Sequence, residues 1–276
     1  MKKLCSRLSL LIMWLFLAYM TLCGLIYFLP ELFFNHPNQK YSDIEMARKN
    51  GYPAELKEYE SADGTKLYGW YTKGTNGKAI IFTHGNAFNL DRFYGKLIPF
   101  AKEGYATFLP EYRGYGGIKG KINSKNMIAD SVAGLEELYK LGYKNEDIIV
   151  YGMSMGSHMA TSIAYQMKKN GKFDALVLEV PFDNVPNTAK NLIPFYMPFD
   201  LLVRDKYDNS EIISQVGTRV LIQAAGQDNI VPNQRAKALY GKAVEPKNFI
   251  MYDQGTHSNL YRERNYREIL KWLELR

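Results

Sequence analysis

The chain reads as one α/β domain, a mostly parallel, doubly wound sheet entered through an antiparallel hairpin, carried behind an N-terminal apolar segment. Three observations predict this. Short β-prone runs alternate with helical stretches from residue 79 onward. Those runs lack the period-2 alternation of a half-exposed strand, as expected of strands covered on both faces. A G-x-S-x-G sequence also stands between one such run and the helix that follows it. With 46% hydrophobic and 23% charged residues over 276 positions, the chain can bury a full core and does not have a disordered composition.

From Leu8 to Leu29 no residue is charged. About 22 residues at ~1.5 Å each reach ~33 Å, enough to cross a hydrocarbon core of ~30 Å. A cleaved signal peptide is the alternative. Against it, the run is longer than a usual h-region, no A-x-A-like site follows, and Leu22 is too large for a lipoprotein site at Cys23. Residues 1–30 are therefore expected to form an uncleaved single-pass transmembrane anchor. Lys2, Lys3 and Arg7 before the span, with Glu31 after it, put the N-terminus in the cytoplasm and the domain on the extracytoplasmic side, whether periplasm, exterior or lumen. Both cysteines, Cys5 and Cys23, fall in this segment, so the domain has no disulfide framework.

Residues 31–55 read as a polar linker with a short helical piece, Ser42–Lys49, and residues 56–276 as the catalytic domain. Leu56–Ser61 and Lys66–Tyr71 flank the turn Ala62-Asp63-Gly64 as a hairpin. The further strand candidates are Ala79–Thr83, Ala106–Leu109, Ile148–Tyr151, Ala175–Glu179, Val220–Gln223 and Asn248–Tyr252. Between and after them run the helix candidates Asp91–Lys102, Lys125–Leu141, Met155–Lys169, Gln234–Tyr240 and Asn259–Leu275. Strands alternating with helices imply right-handed crossovers and a parallel sheet. The longest break, about 182–215, carries Phe195, Tyr196, Met197 and Phe199 among Pro186, Pro194 and Pro198. A structureless loop of this length is uncommon in a compact domain. The segment is expected to be a small cap over the C-terminal edge of the sheet; plain core packing is the other reading.

Charge points to no polyanionic partner. The formal net charge is +7, but removing Lys2, Lys3 and Arg7 from the 35 basic residues leaves 32 against 28 acidic ones. The remaining bases are scattered, and the denser run Arg262, Arg264, Arg267 reads as the solvated face of a C-terminal helix, so nucleic-acid binding is not expected.

The chemistry centres on Gly152-Met153-Ser154-Met155-Gly156. A strand candidate feeds it and a helix candidate leaves it, a turn too tight for side chains at the flanking positions, and it lifts the serine onto a corner above the helix N-terminus. A serine hydroxyl is a poor nucleophile until a base takes its proton. Of the four histidines, His36 lies in the linker, His84 in a loop ahead of the serine, and His158 one turn along the same helix, pointing away. His257, after the last strand candidate, remains. Asp228, beyond Val220–Gln223, would fix its tautomer, in the chain order Ser154, Asp228, His257; Asp183 is the alternative acid. Donors for a developing oxyanion are expected from the Met155 N–H and from the loop His84-Gly85-Asn86-Ala87, with Asn86 first and Ala87 second. There is no H-E-x-x-H, no Cys–His metal spacing and no P-loop, and Gly114-Tyr115-Gly116-Gly117 lacks the dinucleotide fingerprint.

These residues, together with Tyr112-Arg113-Gly114-Tyr115-Gly116, Glu179-Val180-Pro181-Phe182 and Asp228 to Pro232, resemble the α/β-hydrolase superfamily in its branch of membrane-anchored "alpha/beta hydrolase domain-containing" proteins, from about Tyr59 to the C-terminus. The resemblance implies the α/β-hydrolase fold with eight strands, no cofactor, and hydrolysis of esters, thioesters or sometimes peptides; some relatives are acyl-protein thioesterases and others resemble serine aminopeptidases. The sequence departs from the family pattern at Glu111, where Asp is usual, at Ser157-His158, where small residues follow the elbow, and at Ser258, where Asn is common. The aromatic cap and the anchor point to a small-molecule or lipid-like acyl substrate, or an acylated protein, near the membrane. The competing class is a catalytically silent, membrane-tethered binding module.

Overall fold

The computed structural model describes residues 2–30, 37–193, 195–260 and 264–275. Glu31, His36, Pro194 and Arg262, and the side chains of Lys2, Lys3 and Cys5, lie outside what it describes. Eight strands form one sheet: β1 (Glu55–Glu60), β2 (Lys66–Thr72), β3 (Ala79–Thr83), β4 (Ala106–Pro110), β5 (Ile148–Met153), β6 (Ala175–Glu179), β7 (Val220–Ala225) and β8 (Lys247–Tyr252). Their order is β1-β2-β4-β3-β5-β6-β7-β8. The hairpin β1–β2 joins β4 antiparallel, and every pairing from β4 through β3 to β8 is parallel.

The helices are α1 (Lys2–Phe28), α2 (Ile44–Lys49), α3 (Leu90–Phe93), α4 (Ile98–Lys102), α5 (Ser124–Lys140), α6 (Gly156–Met167), α7 (Val185–Leu192), α8 (Phe199–Leu202), α9 (Asn233–Lys242) and α10 (Asn265–Glu274). From β3 the chain steps one way to β4 and then crosses back to β5, so successive right-handed crossovers fall on opposite faces. Accordingly α5 packs with α6 over one face and α4 meets α10 over the other. The adjacent carboxyl ends of β3 and β5 mark the switch point of the sheet, where an open α/β fold leaves a crevice. All side chains of β3, β4, β5, β6 and β7 are buried, which explains their continuous apolar runs. The outer strand β1 instead presents Glu55, Glu58 and Glu60 to solvent.

Three sequence expectations change. The single helix expected over Asp91–Lys102 is broken into α3, a 3₁₀ turn at Tyr94–Lys96 and α4, because Gly95 loosens the middle and Pro99 brings no N–H to the ladder. The helix expected over Asn259–Leu275 begins only at Asn265, after Arg264 in a left-handed conformation; the Asn259 side chain accepts the Thr256 N–H and belongs to a turn. The linker expected over 31–55 is instead tied to the domain at several of its described positions. Pro37 bridges Phe88, the Asn38 carbonyl takes the Gly116 N–H, and Ala47, Tyr52 and Ala54 enter the core, with Tyr52 sharing a hydrogen bond with Thr107 Oγ1 at 2.7 Å.

Arg113 links the hairpin turn to α5, through a buried pair with Asp130 and a half-exposed one with Asp63. Arg113 spends its guanidinium on Asp130 of α5 (Nε 3.0 Å, Nη2 2.6 Å) and on Asp63 in the β1–β2 turn (Nη1 2.6 Å). Asp130 is fully buried, so its charge depends on that partner. Arg113→Met should cost about 3–5 kcal/mol by stranding the Asp130 carboxylate, seen as a lowered urea midpoint, and adding Asp130→Leu should recover most of the loss.

Candidate active site

At the end of β5 the chain turns through Ser154 with φ +53°, in the left-handed region that a side chain occupies at a cost of about 1–3 kcal/mol. The two flanking glycines are fixed by close approach. A β-carbon on Gly152 would lie 2.5 Å from the Gly156 carbonyl oxygen, and one on Gly156 only 1.9 Å from that of Thr83. The turn is held by the Ser154 N–H donating to the Glu179 carbonyl (2.9 Å) and by Thr83 Oγ1 donating to the Gly156 carbonyl (2.8 Å). The serine hydroxyl is thereby presented above the start of α6, beyond the carboxyl ends of β3 and β5.

His257 reaches it from the loop after β8. Its Nε2 lies 2.8 Å from Ser154 Oγ, and its Nδ1 lies 2.8 Å from Asp228 Oδ2 in the loop after β7. A carboxylate at Nδ1 accepts a proton held there, leaving Nε2 as the acceptor for the hydroxyl. Asp228 is aimed by its other oxygen, which accepts the N–H groups of Ile230 (2.9 Å) and Val231 (2.7 Å). Asp183 is not brought to the histidine. Its Oδ2 takes Asn187 Nδ2 (2.7 Å) and Arg235 Nη1 (3.3 Å).

Met155 opens α6, and its N–H belongs to the first turn, which has no intrahelical acceptor. Across the crevice, Asn86 lines the same cavity as Ser154 and Met155. A β-carbon on Gly85 would already touch Met153 O and Ser154 Cβ at 3.4 Å, so the loop after β3 runs directly alongside the serine. The Ala87 N–H donates to Asn86 Oδ1 (2.9 Å), which spends the second-ranked oxyanion donor on shaping the loop. Ala87 and Phe88 both adopt positive φ there, at 63° and 64°.

A buried polar scaffold lies under this loop. His84 is fully buried, its ring 4.2 Å from that of Tyr112, with Nε2 2.9 Å from Glu111 Oε1 and Nδ1 2.9 Å from the Gly85 carbonyl. Tyr112 donates to the His84 carbonyl (3.2 Å) and Tyr115 to Asn86 Oδ1 (2.9 Å). The Tyr-Arg-Gly-Tyr-Gly stretch thus braces the loop. Its signal was present in two tyrosines three apart beside a buried glutamate, but only the fold shows what they touch.

His158 and Ser157 dock the cap. His158 Nδ1 meets Asn209 Oδ1 at 3.1 Å, while Asn209 Nδ2 donates to the Phe182 carbonyl (2.9 Å) and to Ser157 Oγ (3.3 Å). Burial pushes the His158 pKa down, outweighing the opposing pull of the Asn209 hydrogen bond and of the Asp205 and Asp208 carboxylates. The cap itself, α7 and α8 with Phe182 and Tyr207, roofs an apolar cavity of about 390 Å³ that begins at Ser154. Among the described residues that line it, none carries a charge.

The sequence has known counterparts. The profile of the family described as "Serine aminopeptidase, S33" matches residues 74–206. The protein Rv2307c of Mycobacterium tuberculosis is 32% identical over 206 residues, covering 72% of this chain and 71% of that one. The alpha/beta hydrolase domain-containing protein WAV2 of Arabidopsis thaliana is 28% identical over 73% of this chain and 71% of its own. The lysophosphatidylserine lipase ABHD12 of Danio rerio is 28% identical over 64% of this chain and 51% of its own. Among solved structures, the Pyrococcus furiosus esterase Pf2001 superposes with a TM-score of 0.68 at 18% identity, over 87% of this chain and 97% of that one, a likeness of fold.

A depressed His158 pKa has a definite sign. The unfolded chain takes up a proton near pH ~6.5, the folded one only at lower pH, so stability present above that value is lost on acidification. The denaturant midpoint should fall between pH 7.5 and 5 in the natural protein and fall less in His158→Gln; equal slopes would refute this assignment.

Proposed function

The chain belongs to the α/β-hydrolase superfamily, and we propose that within it the protein is a membrane-anchored serine hydrolase cleaving carboxylic ester or thioester bonds of acyl-bearing substrates. The observation that carries this reading is the hydrogen-bonded series Ser154–His257–Asp228 opening into an apolar, uncharged cavity. Ser154 Oγ attacks the acyl carbonyl as His257 Nε2 takes its proton, and Asp228 stabilises the imidazolium. The N–H groups of Met155 and Asn86 receive the developing oxyanion. His257 then hands its proton to the departing alcohol or thiol. A water molecule, deprotonated by the same histidine, releases the acid and restores the serine.

The cavity favours an acyl chain over a peptide N-terminus, because an ammonium would want a carboxylate and none of the described lining residues supplies one. The name of the Danio rerio relative, a lysophosphatidylserine lipase, supports the same class. A serine peptidase is the second reading, favoured by the description of the matching family profile. For the anchor, α1 contains 23 residues, Ser6–Phe28, long and apolar enough to cross a membrane by length and composition. We assign its N-terminus to the cytoplasm and the domain to the opposite side, on the basic residues that precede the span.

An alkyl fluorophosphonate should label the natural protein at Ser154 and leave Ser154→Ala unlabelled; a folded natural protein that does not label would indicate the silent binding module instead. On p-nitrophenyl esters, kcat should fall by about 10⁴-fold in Asp228→Asn, whose amide holds the wrong histidine tautomer, and kcat/KM should rise from acetate to longer acyl chains. A series with no preference beyond acetate would count against an acyl-chain substrate.

A further inference from the structure

The cavity does not end within the domain. Leu22 and Ile26, both on α1, line it together with Ala189, Met197 and Phe199 of the cap. Tyr19, Leu22, Cys23 and Ile26 follow i, i+3, i+4, i+7 spacing and form one stripe of the helix, packed against Ala189, Met197, Phe199 and Val203. Arg204 holds the far end, with its guanidinium 4.8 Å from the Tyr27 ring. The rest of the helix, from Leu8 to Leu17, is exposed around its circumference. Leu22 stands six residues before the helix end, about 9 Å along the axis. This part of the cavity wall therefore lies at the depth of acyl chains in the leaflet that surrounds that end.

The rim of the cavity matches such a setting. Leu192, Ile193, Phe195 and Ile230 line the cavity while remaining exposed, and Tyr196 and Leu201 stand 81% and 75% exposed on the same cap. An apolar rim of this kind, continuous with a lipid-facing helix, is costly in water and stable in a bilayer. We infer that the last turns of α1 form one wall of the acyl slot, that Leu22 and Ile26 set the acyl-chain length accepted, and that the chain of a bilayer lipid slides between α1 and the cap to Ser154 without passing through water. This inference rests on the serine-hydrolase reading above, since it takes Ser154 as the point where the carbonyl arrives.

The test uses the full-length protein in lipid vesicles and two probes, an ethyl and a hexadecyl fluorophosphonate. In each, Ser154 Oγ forms a bond to phosphorus, fluoride leaves, and His257 takes the proton. The ratio of hexadecyl to ethyl labelling rates is read, so that partial loss of folded protein cancels. The natural protein should prefer the hexadecyl probe. Leu22→Trp and Ile26→Trp should lower the ratio at least tenfold, while Leu15→Trp, on the exposed part of the same helix, should keep it. Hexadecyl probe in the protein's own vesicles should label much faster than the same probe confined to separate vesicles. An unchanged ratio in both slot variants, no labelling by the hexadecyl probe, or equal labelling from the two vesicle arrangements would overturn the inference. Loss of ethyl labelling in the natural protein would overturn the serine-hydrolase reading itself.

Discussion

The helix that follows β5 can start where it does only because Gly156 lets the Thr83 carbonyl oxygen occupy the space of a β-carbon. That single steric allowance brings the end of β3 against the start of α6. From it follow the left-handed Ser154, the approach of Gly85 to the serine, and the crevice in which Asn86 and Met155 face one another. Without the close contact, the elbow would lift away from the sheet and the distances to His257 would have no reason to hold. The strain at Ser154 is small beside the number of contacts that over-determine it, which is the usual condition for a disfavoured backbone to persist.

Buried polar groups do the remaining positioning, and each has partners that offset its desolvation. Glu111 collects His84 and the Tyr112 N–H on one oxygen and sits near the Leu90 N–H and Ser42 on the other. It thereby ties the loop after β3 to α3 and to the segment preceding the domain. Glu179, also fully buried, meets Lys96 Nζ at 2.7 Å and the Tyr151 hydroxyl, while its own carbonyl holds the Ser154 N–H. The loops at the carboxyl edge are in this way held by the same sheet that presents the serine.

Much of this was legible in the sequence, for identifiable reasons. Strands buried on both faces announce themselves as unbroken apolar runs, and β3 and β6 begin and end where that pattern does. A turn motif, elimination among four histidines and chain order single out Ser154, His257 and Asp228, but their separations along the chain say nothing about the 2.8 Å contacts, which the fold makes. Less was legible where local pattern and tertiary context part. Ala47, Tyr52 and Ala54 are buried, but three positions spread over eight residues among polar ones sustain no run of either period, so their segment reads as a linker. The face of α1 that meets the cap is invisible beforehand, because a helix apolar all round has no polar side to orient it. Asn209 looks like any loop residue until it is seen bonding His158, Ser157 and the Phe182 carbonyl together.

The outer strand β1 bears on how copies of the molecule coexist. An unpaired strand edge is a template onto which another sheet can add. Here Glu55, Glu58 and Glu60 are all exposed, Glu58 and Glu60 on one face of the strand and Glu55, with Lys57 bound to it at 2.9 Å, on the other. A second edge arriving in register would meet like charges and would have to strip their water. Molecules held at high density on one surface can therefore crowd edge to edge without zipping into a continuous ribbon.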